Sequence, residues 1–301
     1  MRAEPLSIPL AEASGSTAVF SLRDLVALTK PRLSSLVLFT AAGGMWLAHR
    51  PLEWRTWLLT MLGTAGTVGA ANALNCVFER DSDRFMARTA DRPLAKRRMP
   101  VAVAVAFALV LAAFSLPTLY FVANPLTAAL GLIALVSYAF VYTPLKSRSH
   151  WAMQVGAFPG ALPPLMGWTA ATGAIEAPGL ALFAVLFVWQ LPHFIAIALF
   201  RKNEYLAAGL TSLPLEKGDL VSRRHALGYV LALLPISFLP AVFGVAGTLY
   251  VVVASVLGAW LLLVTLQGWR TPVLAIWGRR LFGASLVYLT GLFLALGAPS
   301  I

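Results

Sequence analysis

Charged residues are scarce in this 301-residue chain, where they make up 12% of the sequence, about half of the ~25% typical of soluble domains. Hydrophobic residues make up 59%. A water-soluble domain cannot bury that much apolar surface, and disordered or collagen-like chains do not contain it. Cys76 is the single cysteine, which excludes a disulfide scaffold. The composition therefore predicts an all-α, polytopic membrane protein.

Long runs without charge predict nine transmembrane helices. A helix needs ~20 apolar residues to cross the hydrocarbon layer, and its backbone groups must be paired internally there. Turn signals at 123–125 and 244–247 divide two runs of double length. The predicted spans occupy 33–48, 56–78, 100–145 (two spans), 151–175, 177–200, 226–269 (two spans) and 281–301. Residues 1–19 have no signal-peptide core and are predicted to be disordered, whereas 20–301 form a single transmembrane domain.

A short interfacial helix is predicted before the first span. Ser21 followed by Asp24 fits a capping box, in which each residue caps the backbone of the other. Apolar residues between 20 and 28 would form the membrane-facing side of this helix. Pro31 is expected to end it and redirect the chain.

The positive charges predict the orientation. With nine spans, every Lys and Arg except Arg50 and Arg55 falls on one side of the membrane. The positive-inside rule then places the N-terminus in the cytoplasm and the C-terminus outside. This bias only orients a membrane protein, and no nucleic-acid partner is expected.

The acidic residues are more informative about chemistry. Asn75, Glu79 and Asp83 are spaced by four, so on a helix continuing out of the second span they would share one face. Two carboxylates and an amide at the membrane boundary suit Mg²⁺, which takes oxygen ligands and binds through few carboxylates plus substrate phosphates.

Three arginines, Arg84, Arg88 and Arg92, continue the same spacing, and their guanidinium groups fit phosphate oxygens bidentately. Carboxylates and arginines in a cytoplasmic loop also pair with one another without any ligand, and the spacing alone leaves both interpretations open. Asn72 and Asn75 favour a functional site, because amides inside an apolar span are costly unless used. Helix packing is the alternative use for them.

A second acid, Glu204, follows the sixth predicted span, on the same side of the membrane. A diphosphate bridged by Mg²⁺ between two acidic clusters suits the ionisation of an allylic diphosphate, because the metal neutralises the leaving group. Lys146, near Tyr142 at the end of the fourth span, would add a cation to such a site. Its alternative role is that of a membrane-interface anchor.

These residues resemble the signature of the UbiA superfamily of intramembrane prenyltransferases, in which an Asn is followed by acids at +4 and +8. Within the superfamily, roughly residues 25–298 resemble the branch that farnesylates haem. The segments that carry this resemblance are LTKPR (28–32), NALNC (72–76), ERD (79–81), MART (86–89), RPL (92–94), YT (142–143) with Lys146, GALPP (160–164), GW (167–168) and WQLPHF (189–194).

The resemblance implies a UbiA-type bundle in the bacterial inner membrane, with a cytoplasmic active-site mouth formed by loops 79–99 and 201–225. Its reaction would use Mg²⁺ to transfer the farnesyl group of farnesyl diphosphate to a vinyl group of haem B. Hydration would then give haem O, a precursor of haem A for terminal oxidases, so haem A synthase and oxidase assembly proteins are candidate partners.

Two other functions are alternatives to this one. Prenylation of a quinone precursor or of chlorophyllide is the runner-up. A transporter is disfavoured, because transporters place ionisable groups near mid-membrane, whereas here these groups crowd at one boundary.

The resemblance also implies roles for individual residues. Asn75, Glu79 and Asp83 would be catalytic and hold Mg-diphosphate, and Lys146 and Tyr142 would contact the diphosphate or the allylic cation. The second acidic motif keeps one acid, with Asn203 in the place of another, and Cys76 stands where many members have Asp. The candidate metal ligands are Glu79, Asp81, Asp83 and Glu204, and the candidate diphosphate-binding residues are Lys30, Asn72, Arg84, Arg88 and Arg92.

His193 lies inside the sixth predicted span. A haem-contacting role, as an iron ligand, is one interpretation. A packed or hydrogen-bonded histidine beside Pro192 is the other, and it is favoured.

Overall fold

The computed structural model describes residues 20–297, and all regular structure in this range is helical. The disorder predicted for residues 1–19 lies outside the described residues. Helix α1 (Leu22–Leu28) is short, and nine long helices follow it: α2 (Pro31–Leu47), α3 (Trp54–Glu79), α4 (Val101–Ala123), α5 (Pro125–Leu145), α6 (Ala152–Thr172), α7 (Ala177–Phe200), α8 (Gly218–Val242), α9 (Thr248–Trp269) and α10 (Leu274–Leu296).

Six helices of the described range are long and apolar enough to cross a membrane, namely α4, α5, α7, α8, α9 and α10. Helices α1 and α2, bent by 51° at their junction, would together make a seventh, broken span. Helices α3 and α6 are long enough but not apolar enough to be included. The all-helical membrane bundle is therefore observed, and the count of nine spans stays a prediction.

The N-terminal capping box is confirmed. The Asp24 N–H donates to Ser21 Oγ at 3.3 Å, and the Ser21 N–H donates to the Asp24 carboxylate at 3.1 Å. Lys30 then adopts a left-handed conformation, with φ of 51°, and Pro31 begins α2. The right-handed helical region is disfavoured for a residue before proline, and Lys30 leaves that region, so this junction bends the chain as predicted.

Helices α8 and α10 begin earlier than the apolar runs indicated, at Gly218 and Leu274 rather than at 226 and 281. Arginines that the sequence placed in loops lie within the first turns of these helices, namely Arg223, Arg224, Arg279 and Arg280. Charge ends a hydrophobic run but not a helix, because an exposed arginine is a good helix former. One consequence is that basic side chains of α10 project at the end of the bundle.

Helix α6 is the most enclosed part of the bundle, since 14 of its 21 residues are buried. A Cβ added to Gly44 of α2 would collide with the backbone carbonyl of Pro164 in α6, and one added to Gly167 would collide with that of Ala41. Small residues thus let the two backbones approach closely, as is common between membrane helices. In contrast, Phe114 and Phe121 of α4 are 74% and 82% exposed, on a surface that suits lipid.

Two loops meet at the end of the bundle where α3, α5 and α7 finish. One joins α3 to α4, and the other joins α7 to α8 through short helices at Lys202–Ala207 and Leu213–Glu216. The backbone N–H and the hydroxyl of Thr211 both donate to the Lys146 carbonyl, at 2.9 and 3.0 Å. The α7–α8 loop is thereby tied to the end of α5, beside the site described next.

Candidate active site

A cavity of about 660 Å³ opens at this end of the bundle, between α2, α3 and α5 on one side and α7 and α10 on the other. One part of its wall is polar and predominantly basic: Lys30, Asn75, Glu79, Arg88, Arg92, Tyr142 and Lys146. Another part is apolar: Leu33, Met153, Phe194, Ile195, Ile197, Phe200 and Phe282. Pockets of this size and mixed lining are typical of small-molecule and cofactor sites.

Asn75 is buried and uses both ends of its amide. Its Oδ1 accepts a hydrogen bond from Lys30 Nζ, and its Nδ2 donates to Thr143 Oγ1 at 2.9 Å. Thr143 follows a widened, π-helical turn of α5 at Ser137–Tyr142, and its hydroxyl donates to the Tyr138 carbonyl at 2.7 Å. Asn75 thus joins α2, α3 and α5 at the head of the cavity.

Glu79 is the last residue of α3, and its side chain is only 8% exposed. Lys146 Nζ donates to one of its oxygens at 2.7 Å, and Arg92 lies 3.5 Å from the other. Lys146 also lies 5.3 Å from the centre of the Tyr142 ring, in cation–π contact. Two cations from separate segments therefore hold one buried carboxylate.

Asp83 lies beyond the end of α3, and the prediction that one continuous helix carries Asn75, Glu79 and Asp83 is wrong. The Ser82 hydroxyl donates to the Glu79 carbonyl at 3.1 Å, which satisfies one of the carbonyls left free where a helix ends. The chain then forms a tight turn at Asp83–Phe85. Arg92 nevertheless holds Asp83 near Glu79, since its Nη1 donates to Asp83 Oδ2 at 2.6 Å.

The Asp83 carboxylate has capacity left for a ligand. Its Oδ1 is buried and has no hydrogen-bond partner in the described structure. Asp83 itself does not line the cavity; Arg92, which does, connects it to Glu79. Burial raises the pKa of the Asp83 carboxyl above its usual value, and the Arg92 guanidinium opposes that shift. A buried oxygen without a partner, beside a second carboxylate, fits a hard cation such as Mg²⁺.

The protein alone offers few ligands for such an ion. Between residues 20 and 297, no group of three or more Asp, Glu, His or Cys side chains is arranged to hold a metal. Mg²⁺ commonly binds through one or two carboxylates and completes its shell with water and substrate phosphates. Glu79 and Asp83 fit that mode of binding and do not form a complete metal cage.

Asn72 does not line the cavity. Its Nδ2 donates to the Thr29 carbonyl and to Ser34 Oγ, both at 3.1 Å, so it fastens the α1–α2 junction to α3. The structure thus gives Asn72 the helix-packing role that the sequence left as an alternative.

Asp81 and Arg84 pair with each other on the surface and lie outside the cavity. The Asp81 side chain is 68% exposed, and Arg80 approaches it at 3.4 Å. Arg80, Asp81 and Arg84 border a separate cleft that also includes Arg97. The structure therefore does not bring Asp81 and Arg84 together with Glu79 and Asp83.

Glu204 is also turned away from the predicted site. Both of its carboxylate oxygens accept hydrogen bonds from Arg201, at 2.8 and 2.9 Å. Its neighbours Arg201 and Tyr205 line the cavity, whereas Glu204 does not. The segment predicted to carry a second metal ligand thus contributes a guanidinium and a phenol to the cavity wall.

His193 is packed and hydrogen bonded within the bundle. Its Nδ1 lies 2.8 Å from Ser285 Oγ, and its ring stacks on Trp189 with centroids 4.6 Å apart. It lies behind Phe282, whose ring centre is 4.8 Å away, and it does not line the cavity. This geometry matches the favoured interpretation of a packed histidine.

Several cavity residues were missed by sequence reasoning, chiefly on α7 and α10. Phe200 and Phe282 face each other edge to face with centroids 5.6 Å apart, and Arg279 lies one turn before Phe282. Arg279 counted in the sequence only as a topological charge. Arg279 lies three residues before Phe282, and this spacing places both side chains on one face of a helix. That spacing is the sequence signal that could have identified Arg279 as a cavity residue.

Together these features define a class: a polytopic helical membrane protein whose cation-rich cavity, at one end of the helical bundle, suits an anionic substrate. The UbiA prenyltransferase family matches residues 36–295, and the chain belongs to this family.

Individual relatives are similar over most of their length. A protoheme IX farnesyltransferase of Myxococcus xanthus is 58% identical over 273 residues, which cover 91% of this chain and 93% of that protein. A protoheme IX farnesyltransferase of Anaeromyxobacter dehalogenans is 48% identical over 275 residues, with coverage of 91% and 93%. These relatives agree with the resemblance found in the sequence.

Solved structures share the fold at low sequence identity. A digeranylgeranylglyceryl phosphate synthase superposes with a TM-score of 0.79 at 16% identity, covering 91% of this chain and 96% of that one. A UbiA homologue from Archaeoglobus fulgidus, bound to GPP and Mg²⁺, gives a TM-score of 0.60 at 17% identity, covering 91% and 100%. The UbiA-type helical bundle predicted from the sequence is confirmed.

Proposed function

We propose that this protein transfers the farnesyl group of farnesyl diphosphate to a vinyl group of haem B and, with addition of water, produces haem O. The observation that carries the proposal is the 58% identity, over 91% of the chain, to a relative named protoheme IX farnesyltransferase. The structure supports it with a cavity that combines basic and aromatic walls at one end of a membrane bundle.

The reaction breaks the bond between C1 of the farnesyl group and the diphosphate oxygen. C1 then forms a carbon–carbon bond with the terminal carbon of the vinyl group. The positive charge passes to the vinyl carbon next to the macrocycle, where water adds and loses a proton. Farnesyl diphosphate, haem B and water thus give haem O, diphosphate and a proton.

Glu79 and Asp83 are the residues that would hold Mg²⁺, because both carboxylates are buried and Asp83 Oδ1 has no partner in the described structure. The Mg²⁺ and GPP present in the Archaeoglobus fulgidus homologue support a divalent cation in this fold. When bound, the ion would neutralise charge on the diphosphate leaving group. Asp81 and Glu204 are not included in this proposal, since Asp81 is 68% exposed and paired with Arg84, and both oxygens of Glu204 accept hydrogen bonds from Arg201.

The basic residues of the cavity would bind the diphosphate and stabilise it as it leaves. Lys146 and Arg92 already lie against Glu79, and Lys30 reaches the same wall through Asn75. Arg88 lines the cavity beside them. Charge-assisted hydrogen bonds directed at the developing negative charge lower the barrier most when they are fixed in advance, as this network is.

Tyr142 would face the allylic carbon. Its ring lies within the cavity wall beside Lys146, and the face of an aromatic ring stabilises a nearby positive charge. The apolar wall formed by α7 and α10 would keep bulk water away from the cation before the acceptor reacts with it.

We propose that the nine long helices all span the bacterial inner membrane, with the cavity facing the cytoplasm. The loops 79–99 and 201–225 then form the mouth of the site within a single domain of residues 20–301. The support is positional: Arg50 and Arg55 lie at the α2–α3 turn, and the cavity lies at the other end of the bundle, where the remaining cations concentrate.

The deciding assay supplies purified protein in lipid with haem B, farnesyl diphosphate and Mg²⁺, and resolves the pigments by chromatography. We expect haem O and one diphosphate per haem converted, and no product when the metal is chelated. Folded protein that makes no haem O would contradict the proposal. Prenylation of a quinone precursor or of chlorophyllide in the parallel reaction would then favour the runner-up.

A further inference from the structure

The α7–α10 side of the cavity forms an aromatic wall. Phe282 and Phe200 meet edge to face, and Phe282 is backed by His193, which Ser285 and Trp189 hold in place. Rings supported in this way keep a fixed orientation, so they present a preformed surface to a ligand. Such a surface suits a flat, apolar molecule.

Arg279 lies beside this wall. It lines the cavity, and its position three residues before Phe282 places both on one face of α10. A guanidinium next to an aromatic surface is suited to a planar ligand that carries a carboxylate, because the fork of N–H groups binds a carboxylate bidentately.

In the part of the chain that the structure describes, Arg279 is the unpaired cation on the aromatic side of the cavity. Lys146 and Arg92 lie against Glu79, Arg201 is paired with Glu204, and His150 is 2.8 Å from Glu216. Among residues 20–297, no carboxylate lies within ion-pair distance of Arg279, nor of Lys30 and Arg88, which lie on the diphosphate side. Arg279 is therefore the cation on the aromatic side that is available to a ligand.

We propose that Arg279 binds a carboxylate of the acceptor while Phe282 and Phe200 pack against its planar ring. The inference rests on the proposed function, because haem B is a planar macrocycle with two propionate carboxylates. It places the acceptor against α7 and α10, opposite the carboxylates and cations that would bind the diphosphate. Arg279 is thus a substrate-binding residue for the acceptor and has no part in diphosphate binding.

The first test uses the wild-type protein and changes the substrate. Haem B is compared with its dimethyl ester, in which both propionates are neutral. We expect the ester to be prenylated with a KM on the order of tenfold higher, because it cannot form the charge-assisted hydrogen bond. An ester with the KM of haem B would overturn the proposal without any substitution in the protein.

The second test changes the residue. Arg279→Gln should raise the KM for haem B by a similar factor, leave the KM for farnesyl diphosphate unchanged, and leave the KM for the ester unchanged. Arg279→Lys keeps the charge and should recover part of the loss. The matched control is Arg280→Gln, which removes the neighbouring exposed arginine, outside the cavity, and should change neither KM.

A binding titration separates this proposal from the proposed function. Absorbance changes on adding haem B to each protein give a Kd that does not depend on turnover, and Arg279→Gln should weaken it on the order of tenfold. Wild-type protein that makes no haem O contradicts the proposed function. If the wild type is active and the Arg279→Gln variant keeps its Kd and KM for haem B, the role of Arg279 alone is contradicted. The same holds if Arg279→Gln raises the KM for the dimethyl ester as much as it raises the KM for haem B.

Discussion

At the scale of single residues, Glu79 forms ion pairs with cations from two separate segments of the chain. Lys146 directly follows α5 and Arg92 lies in the α3–α4 loop, and both contact the same buried carboxylate. Removing that carboxylate leaves two cations without their counter-charge and takes away one of the two oxygen ligands proposed for Mg²⁺.

We predict that Glu79→Gln lowers kcat on the order of 100-fold or more, the size of effect seen when a fixed electrostatic group is lost from an active site. The measurement is haem O formed per minute by purified protein, normalised to folded protein eluting from a sizing column.

The matched control is Asp81→Asn. Asp81 is two residues further along the chain, 68% exposed and paired with Arg84 outside the cavity. It should keep nearly normal turnover, because exposed ion pairs contribute little. An Asp81→Asn variant as impaired as Glu79→Gln would show that the metal site is assigned to the wrong carboxylates.

The sequence identified most residues of the polar wall, but it did not predict the contacts that bring them together. The four-residue spacing brought Asn75, Glu79 and Asp83 together on an assumed continuous helix. In the structure α3 ends at Glu79, and Arg92 holds Asp83 in place instead. A long-range contact of this kind leaves no periodic trace in a sequence, so spacing alone cannot supply it.

At the scale of helices, the α2–α6 contact depends on glycine. A Cβ at Gly44 would collide with the Pro164 carbonyl, and both are parts of helical backbones that cannot shift independently. We predict that Gly44→Ala destabilises the protein by roughly 1–3 kcal/mol, the usual cost of overpacking. The measurement is the midpoint of thermal unfolding in detergent, determined from the loss of the folded peak on a sizing column as the temperature rises.

Gly43→Ala is the control for this contact. A Cβ there would meet only the ring of Phe293, at 3.7 and 3.8 Å, which is ordinary van der Waals contact. Its unfolding midpoint should stay close to that of the wild type. Equal losses from the two substitutions would mean that α2 and α6 are not in the close approach described above.

The positions of the long helices could be predicted because apolar runs and turn signals mark them directly. The local features that aim side chains into the site could not. The π-helical turn of α5 at Ser137–Tyr142 and the serine cap at the end of α3 break the regular helical periodicity on which the prediction relied. Hydropathy also misjudged where α8 and α10 begin, because arginines interrupt an apolar run without interrupting a helix.

At the scale of the whole molecule, the distribution of charge predicts which end of the bundle faces the cytoplasm. The chain is suited to a labelling test, because its single cysteine, Cys76, is 1% exposed and should stay unreactive. Glu53→Cys places a thiol in the exposed α2–α3 turn, and Ser147→Cys places one in the exposed turn after α5.

In intact cells, we predict that a membrane-impermeant maleimide labels Glu53→Cys and leaves Ser147→Cys unmodified. Opening the membrane should then expose Ser147→Cys to the reagent, while unsubstituted protein reports the background from Cys76. The reverse pattern would contradict a cytoplasmic site. Labelling of both variants from outside would contradict the nine-span topology.

The modest apolarity of α3 and α6 has a consequence for how the protein enters the membrane. Neither helix is apolar enough to partition into lipid strongly by itself, yet α3 carries the buried Asn75 and Glu79, and α6 is buried on most of its surface. Helices of this kind are stabilised in the bilayer by neighbouring helices more than by lipid. During synthesis, α3 would therefore depend on the more apolar α4, which follows it, and α6 on the already inserted α2. The polar residues of α3 and the small residues and prolines of α6 thus impose an order of assembly on the nascent chain.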